Sequence, residues 1–377
     1  MKKANALPAI FFAAFLSGPV IAWGASAPLR QGAQGGEETR TTKPWGPMSE
    51  IEAAARKEGK VSIYAAPGHA LPPDQQAIGA VMKEKYGIFV EWTSLSARDI
   101  GPRVLVENRT RRYFADIFMS GETNTIEHFA PRGLVQPILA PSTLEKGVWR
   151  LDPARNRPKE RDWFFIFFGI IPSFIVNTQL VPPREEPKSY KDLLHPKWKG
   201  KIVIETPSQG GSGSGWFRAT YRTLGLDYMR ALAKQVALVR VGAEVPDSVA
   251  RGQYAIGIAP TVARSRELIE AGAPLKFVEA KEGLHVTSQG MSVLNEVPHP
   301  NAAKVFINWF YSKEGQTVYN RNHRSVSLRK DVSQEHLPPQ ERYIDGRPFF
   351  IQALEDVEPG RPAETLILAR QIFEETK

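Results

Sequence analysis

The chain has 377 residues, of which 42% are hydrophobic and 24% are charged, and its formal net charge is +9. This length and balance are typical of a globular protein with a large buried core, long enough for two lobes. The sequence contains no cysteine, which excludes disulfide bonds and a lipid anchor on a cysteine. The positive charge would suit nucleic acid, but the export signal at the N-terminus argues against that partner.

Residues 1–27 have the pattern of a secretory signal peptide. Two lysines precede an interrupted apolar stretch, and small residues follow up to Ala27, where we expect cleavage, with Ala22 as the alternative. Residues 28–47 are rich in glycine and polar residues and are predicted to form a flexible leader. The mature protein is therefore expected in the periplasm, without a lipid anchor.

The first folded part alternates strands and helices. Ser49 and Glu52 have the spacing of a capping box for a helix that ends at Gly59. The elements predicted after it are strand 60–66, helix 74–86, strand 88–92, helix 97–111 and strand 115–119. This order predicts a parallel sheet with helices on both faces. Ligands of such sheets sit beyond the carboxyl ends of the strands, so we expect Gly68, His69, Ser120, Gly121 and Glu122 to share one rim.

A second α/β unit follows an apolar segment. Residues 162–177 contain Gly169 and Pro172 and are short for a membrane span, which favours buried extended chain between two lobes. Predicted next are strand 201–205, helices 216–224 and 228–235, strand 238–242, a helix ending at Gly252, strands 254–259 and 289–295, and helices 301–311 and 363–375. The predicted fold is α/β and two-lobed, with residues 48–140 and 275–325 in lobe 1 and residues 141–274 and 326–377 in lobe 2.

The loop "ETPSQGGSGSGW" after strand 201–205 is the best candidate site. It matches neither the nucleophile elbow, nor a Walker phosphate loop, nor the dinucleotide fingerprint, because a glycine that should flank the serine, the lysine or the third glycine is missing, respectively. Unobstructed backbone N–H groups and the hydroxyls of Ser208, Ser212 and Ser214 would still face a helix N-terminus. The loop is thus either an anion cradle or a plain connection.

No metal centre or cofactor is predicted. The seven histidines are scattered, and none forms a His-x-x-x-His or His-Glu-x-x-His pair. A secreted hydrolase or transferase is the enzyme alternative, but no motif supplies its nucleophile and general base.

Several stretches together carry a family resemblance: "GKVSIYAA", "ADIFMSGE", "RGLVQPI", "VNTQLVP", "PKSYKDLLHPKWKGKIVIETP", "ARGQYAIGIAP" and "QGMSVLNEVPHPNAAKVFINWFYSKEGQ". In order and spacing they resemble the extracellular solute-binding proteins of bacterial ABC transporters, in the branch that contains the periplasmic ferric-ion-binding proteins. The resemblance covers about residues 49–331. It implies a two-lobed fold that closes on its ligand by hinge motion and then docks, as a monomer, on a membrane permease.

The resemblance leaves the ligand open. Ferric-binding members use a tyrosine pair where this chain has Ala259, Pro260 and Thr261, and only His69 and Glu122 match the other iron ligands, each displaced by one residue. The alternatives are therefore a ferric ion or an organic solute such as a phosphonate, sugar phosphate, carboxylate, thiamine-like compound or polyamine. A receptor that serves a sensor kinase rather than a permease is a further alternative.

An anionic or zwitterionic organic ligand is the main prediction. We expect its anionic oxygens against Ser208, Gly213, Ser214 and Thr261, with Arg264 as a charge partner. Glu122 and Glu244 would face an amino group. The replacement of Gly213 by Asp is then expected to abolish binding and leave the fold intact.

Overall fold

The computed structural model describes residues 45–66, 68–120, 129, 132–150, 164–209, 211–327, 329–344, 349–351 and 362–375, some of them by their backbone alone. Residues 43–377 form one compact unit. The predicted signal peptide and residues 28–44 of the predicted leader, together with Gly121 and Glu122, lie outside the described residues. Trp45, near the end of the predicted flexible leader, packs instead against the first apolar core and donates its backbone N–H to the carbonyl of Leu139. No helix in the described part of the chain combines the length and the apolar character that crossing a bilayer would require.

The first lobe is built on a seven-stranded sheet. Its strands are β1 (Lys60–Ala65), β2 (Phe89–Ser94), β3 (Ile117–Ser120), β4 (Val135–Gln136), β5 (Phe164–Ile171), β11 (Leu284–Leu294) and β12 (Phe349–Ile351). Their order is β12-β11-β3-β1-β2, and β4 and β5 pair with β11. Both β2 and β3 run parallel to β1, which confirms the predicted alternation. The helices of this part are α1 (Met48–Glu58), α2 (Pro72–Tyr86), α3 (Ala97–Thr110), α4 (Pro141–Leu144), α9 (Pro300–Phe310) and α10 (Lys313–His323).

The second lobe has a five-stranded sheet. Its strands are β6 (Phe174–Asn177), β7 (Ile202–Glu205), β8 (Val236–Val239), β9 (Ile256–Ile258) and β10 (Leu275–Val278). Their order is β10-β6-β9-β7-β8. Its helices are α5 (Gly211–Leu224), α6 (Leu226–Ala233), α7 (Glu244–Ala250), α8 (Val262–Glu270) and α11 (Pro362–Phe373). Both β8 and β9 run parallel to β7, so the carboxyl ends of these three strands meet at one edge.

Each sheet is covered by apolar side chains on both faces. In the first lobe one cluster lies under α1, α2, α9 and α10, and a second lies under α3. In the second lobe one cluster lies under α5, α6 and α11, and another lies under α7 and α8. The boundaries that we predicted for the two lobes stay a prediction. Trp149, Val326 and Leu337 pack in the first of these cores, and Phe373 packs in the core under α5.

Two connections lead between the sheets, and Ser173 joins them. The first connection runs from β5 to β6, and the second runs from β10 to β11. The Ser173 hydroxyl donates to the carbonyl of Gly283 over 3.1 Å and accepts from the backbone N–H of Ala280 over 3.0 Å. Since β5 and β11 also pair along most of their length, these two connections of the described chain lie side by side between the sheets. This agrees with the extended chain that we predicted for residues 162–177.

Several helices begin earlier than predicted. Helix α1 begins at Met48 after Pro47, and no side chain caps it, so the predicted capping box at Ser49 is wrong. Helix α5 begins at Gly211, five residues before the predicted start at Trp216. Most of the predicted glycine-serine loop is therefore the first turn of a helix, because a carboxylate accepts hydrogen bonds from this turn.

Candidate functional site

The edge of the second sheet carries a cluster around Glu205, the last residue of β7. The Glu205 carboxylate accepts hydrogen bonds through Oε2 from the Ser212 hydroxyl at 2.7 Å and from the backbone N–H of Gly213 at 3.1 Å. Both donors lie in the first turn of α5, where backbone N–H groups lack partners within the helix. The carboxylate therefore caps α5, which explains why the helix begins inside the glycine-serine stretch.

Gly242 allows two further loops to reach the same point. A Cβ at Gly242 would lie 2.8 Å from the Thr261 hydroxyl, 3.0 Å from the Ser212 hydroxyl and 3.1 Å from Glu205 Oε2. A side chain at this position would therefore push these three side-chain ends apart. The loops that follow β7, β8 and β9 thus converge on one polar cluster formed by Glu205, Ser212, Gly213, Gly242 and Thr261, which we call the Glu205 cluster.

The chain enters this cluster from β9 through a strained residue. Ala259 has a φ of 48° although it has a side chain, and it directly precedes Pro260 and Thr261. Non-glycine residues adopt this left-handed region at an energetic cost and persist there where the surrounding structure holds them. Pro260 is buried, whereas Thr261 is partly exposed.

Of the residues predicted for the first lobe, the described ones, Gly68, His69 and Ser120, lie at the carboxyl ends of β1 and β3. These two strand ends are tied together, because the backbone N–H of Ala66 donates to the carbonyl of Met119 over 2.9 Å. Gly68 has a φ of 86°, which glycine adopts without strain, and Tyr319 of α10 donates its hydroxyl to the His69 carbonyl over 2.7 Å. Ser120 is 2% exposed, and its hydroxyl has no hydrogen-bond partner in the described part of the chain.

Four predicted residues have other surroundings than the Glu205 cluster. The Ser208 hydroxyl donates to Glu374, just after α11. Arg264 forms ion pairs with Asp247 and Glu267, and the Glu267 hydrogen bond is the main reason that its pKa is raised. Glu244 is exposed at the start of α7. Ser214 is fully buried, and its hydroxyl has no partner among the described residues.

The tyrosines of the two cores are poor candidates for metal-binding phenolates. Burial raises the pKa of Tyr190 to about 12 and raises the pKa of Tyr228, Tyr311 and Tyr319 well above the usual value. Nowhere in the described residues do three side chains from histidine, aspartate or glutamate come together as a metal site would require. Glu122, one of the two iron ligands that the resemblance implies, lies outside those residues.

The sequence interpretation placed a ligand anion at this helix N-terminus but missed Glu205. It also missed Gly242, whose lack of a side chain permits the three loops to meet. A signal for Glu205 was present, since an acidic residue that ends a strand shortly before a helix can fold back onto the free N–H groups.

Comparisons with known proteins agree with this architecture. The model of a family described as bacterial extracellular solute-binding protein matches residues 113–346. An uncharacterized protein of Haemophilus influenzae is 25% identical over 298 residues, which are 76% of this chain and 83% of that protein.

Two solved structures show the same two-lobed periplasmic-binding-protein fold. One is the periplasmic binding protein AfuA of Actinobacillus pleuropneumoniae with exogenous fructose-6-phosphate bound, at 19% identity and a TM-score of 0.67, covering 84% of this chain and 99% of that one. The other is iron-bound HitA of Pseudomonas aeruginosa, at 19% identity and a TM-score of 0.64, covering 83% of this chain and 99% of that one. The α/β fold predicted from the sequence, with two lobes, is therefore confirmed.

Proposed function

Because the chain belongs to the bacterial extracellular solute-binding proteins, we propose that it captures a small organic solute between its lobes and delivers it to an ABC permease of the inner membrane. It acts in the periplasm as a monomer, by binding and release rather than by turnover. The observation that carries the proposal is the arrangement of two sheets whose described connections lie side by side, with the Glu205 cluster at the strand ends of the second lobe. Hinge closure couples capture to a change of shape that a permease can recognise.

An organic solute fits this chain better than a bare metal ion. Solved relatives of this fold are described with fructose-6-phosphate or iron bound, so the fold accepts both classes. The Glu205 cluster offers carboxylate Oε1, which takes no hydrogen bond from the described residues, and the hydroxyl of Thr261, and both groups suit hydrogen bonding to a polar organic molecule. The phenol groups of the two cores are buried and held neutral.

The test is native mass spectrometry of the mature protein taken from its own periplasm, compared with the same sample after denaturation. A lost mass of organic size supports the proposal. Sustained release of product from candidate esters and phosphates would contradict it, because a pure receptor turns nothing over. A lost mass of iron would also contradict the choice of an organic solute.

Ion pairs between the lobes lead to a prediction about closure. Arg266 of α8 pairs with Glu341, which lies in the segment that packs on the first core, and it donates to the carbonyl of Arg324 over 3.3 Å. The side chains of Arg266 and Glu341 are only 16% and 14% exposed. Arg324 in turn pairs with Glu270 at 2.8 Å. Each lobe thus contributes one arginine and one glutamate to the ion pairs that join the two lobes.

Replacing Glu341 by Gln should loosen this contact by about 1.5–3 kcal/mol, the usual contribution of a hydrogen bond to a charged group. We expect a larger radius of gyration in small-angle X-ray scattering of the free protein. The control is Glu267→Gln, which removes a carboxylate of the same helix that pairs within the second lobe and is 65% exposed. Equal scattering curves for the two variants would show that the contact does not hold the lobes.

A further inference from the structure

The Glu205 cluster holds an acidic group without a basic partner. Glu205 is 8% exposed, and no lysine or arginine of the described residues pairs with it. Both of its hydrogen bonds go to Oε2, whereas Oε1 lies beside Gly211 and takes none from the residues that the structure describes. A carboxylate that is nine-tenths buried and lacks a cation is unusual, because burial of an unpaired charge is costly.

The same carboxylate occupies the place of an anionic ligand. A helix N-terminus attracts one negative charge through its free N–H groups and its dipole. At α5 the charge is supplied by the protein itself, since Ser212 and Gly213 already donate to Glu205. A phosphate or carboxylate that approached these donors would meet a like charge at short range, which is destabilising in a site with little water.

We propose that Glu205 selects a solute with a cationic nitrogen, an ammonium or an amidinium group, which pairs with Oε1 when the lobes close. This inference rests on the proposed receptor function and names the class of its ligand. The hydroxyl of Thr261, which lies close to the Glu205 carboxylate beside the position where a Cβ of Gly242 would be, supplies a neutral acceptor for a second N–H of the same group. The helix N-terminus holds the carboxylate in place. The cation therefore meets a preformed partner, and little conformational freedom is lost on binding.

The arrangement reverses one part of the sequence prediction. An anion was expected against Ser208, Gly213, Ser214 and Thr261, but Gly213 faces Glu205 and the Ser208 hydroxyl faces Glu374. The zwitterionic alternative keeps its amino group, which faces Glu205 instead of Glu244 or Glu122. Any anionic group of such a ligand would lie toward the first lobe, where the Ser120 hydroxyl is buried without a partner in the described residues.

The variant Glu205→Gln removes the negative charge of the carboxylate. It keeps the local geometry, since its amide oxygen can still accept hydrogen bonds from Ser212 and Gly213. The control is Glu185→Gln, which removes an acidic group of the same lobe that pairs with Lys197 at 3.2 Å. Glu185 follows β6, an antiparallel strand, so it lies toward the sheet edge opposite Glu205. The probes are spermidine and L-arginine as cations, and citrate, fructose 6-phosphate and inorganic phosphate as anions, each measured by thermal shift.

A cationic probe should stabilise the parent protein and Glu185→Gln, and its affinity should fall at least tenfold in Glu205→Gln. In a second arm Glu205→Ala empties the helix N-terminus, and inorganic phosphate should then stabilise this variant but not the parent. Equal stabilisation of the parent and Glu205→Gln by an anionic probe would overturn the inference and leave the receptor function standing.

If no probe binds, the inference is tested by the mass of the solute that native mass spectrometry finds bound to the protein from its own periplasm. A solute with a cationic nitrogen supports the inference, and a solute without one overturns it. The absence of any bound solute, together with the absence of any thermal shift, would overturn the receptor function itself.

Discussion

Replacing Glu145 by Gln and Asp331 by Asn in one variant is expected to lower the free energy of unfolding by about 3 kcal/mol. Both carboxylates serve Arg329, whose side chain is 2% exposed in the first lobe. Asp331 accepts from Nε and Nη2, each over 2.9 Å, and Glu145 accepts from Nη1 over 2.6 Å. In the variant the new amide oxygens, the carbonyl of Tyr311 and the ring of Trp149 still contact the buried guanidinium, but no carboxylate of the described residues balances its charge.

The size of this effect follows from the burial of the cation. Breaking a buried ion pair by removing one partner costs about 3–5 kcal/mol, because the remaining charge has neither water nor a counterion. We expect the lower end, since the carboxylates themselves are 49% and 35% exposed and water can replace part of their contribution. The measurement is urea unfolding followed by tryptophan fluorescence.

The control is the triple variant that also carries Arg329→Met. It removes the charge that the double variant leaves unpaired, so it should recover most of the lost stability, as replacements of buried ion pairs by apolar groups do elsewhere. If the double variant lost less than about 1 kcal/mol, the guanidinium would be solvated through a path that the static packing does not show.

The same group makes stability depend on pH. The hydrogen bond from Arg329 lowers the pKa of Asp331 from its usual value of 3.8. A carboxyl whose pKa is lower in the folded state contributes stability that is present above the unfolded pKa and is lost as the pH falls through the folded pKa. The difference between the parent and the double variant should therefore be constant near neutral pH and shrink below about pH 4.

Much of the fold followed from local patterns. Strand β1, helix α2 and strand β2 could be predicted because apolar periodicity and a glycine after each helix mark short elements that lie next to each other in space. The long strand β11 was predicted only at its end, since its first residues pair with β5 and β12, and such distant partners leave no local signal.

The site was harder to predict because it depends on contacts between loops. The strand ends were placed correctly by topology, which is a general property of parallel sheets. What the side chains do there was not, because Glu205 folds back over Gly211 and Gly213 only when α5 begins inside the glycine-serine stretch. Helix propensity argues against such a start, and the tertiary contact with the carboxylate overrides it.

A substitution at Gly213 is expected to have the second large effect on the free energy of unfolding. A Cβ at this position would lie 2.0 Å from the carbonyl oxygen of Glu205 and 2.7 Å from its carbonyl carbon. Both are backbone atoms at the end of a central strand and cannot move aside as the tip of a side chain can. Gly213→Asp, predicted from the sequence to leave the fold intact, would thus disturb the strand end as well as the site. Loss of binding in that variant alone would not identify the ligand contact.

Replacing Gly213 by Ala is therefore expected to lower the free energy of unfolding by about 1–3 kcal/mol, as overpacking does. The matched control is Gly79→Ala in helix α2, where no atom lies within 4 Å of the added methyl group. That variant should gain up to about 1 kcal/mol from helix propensity. Urea unfolding of both variants measures the contrast, and opposite signs are expected from the same chemical change. A stable Gly213→Ala protein would mean that α5 can begin further from β7, which would also release Glu205 from its position in the cluster.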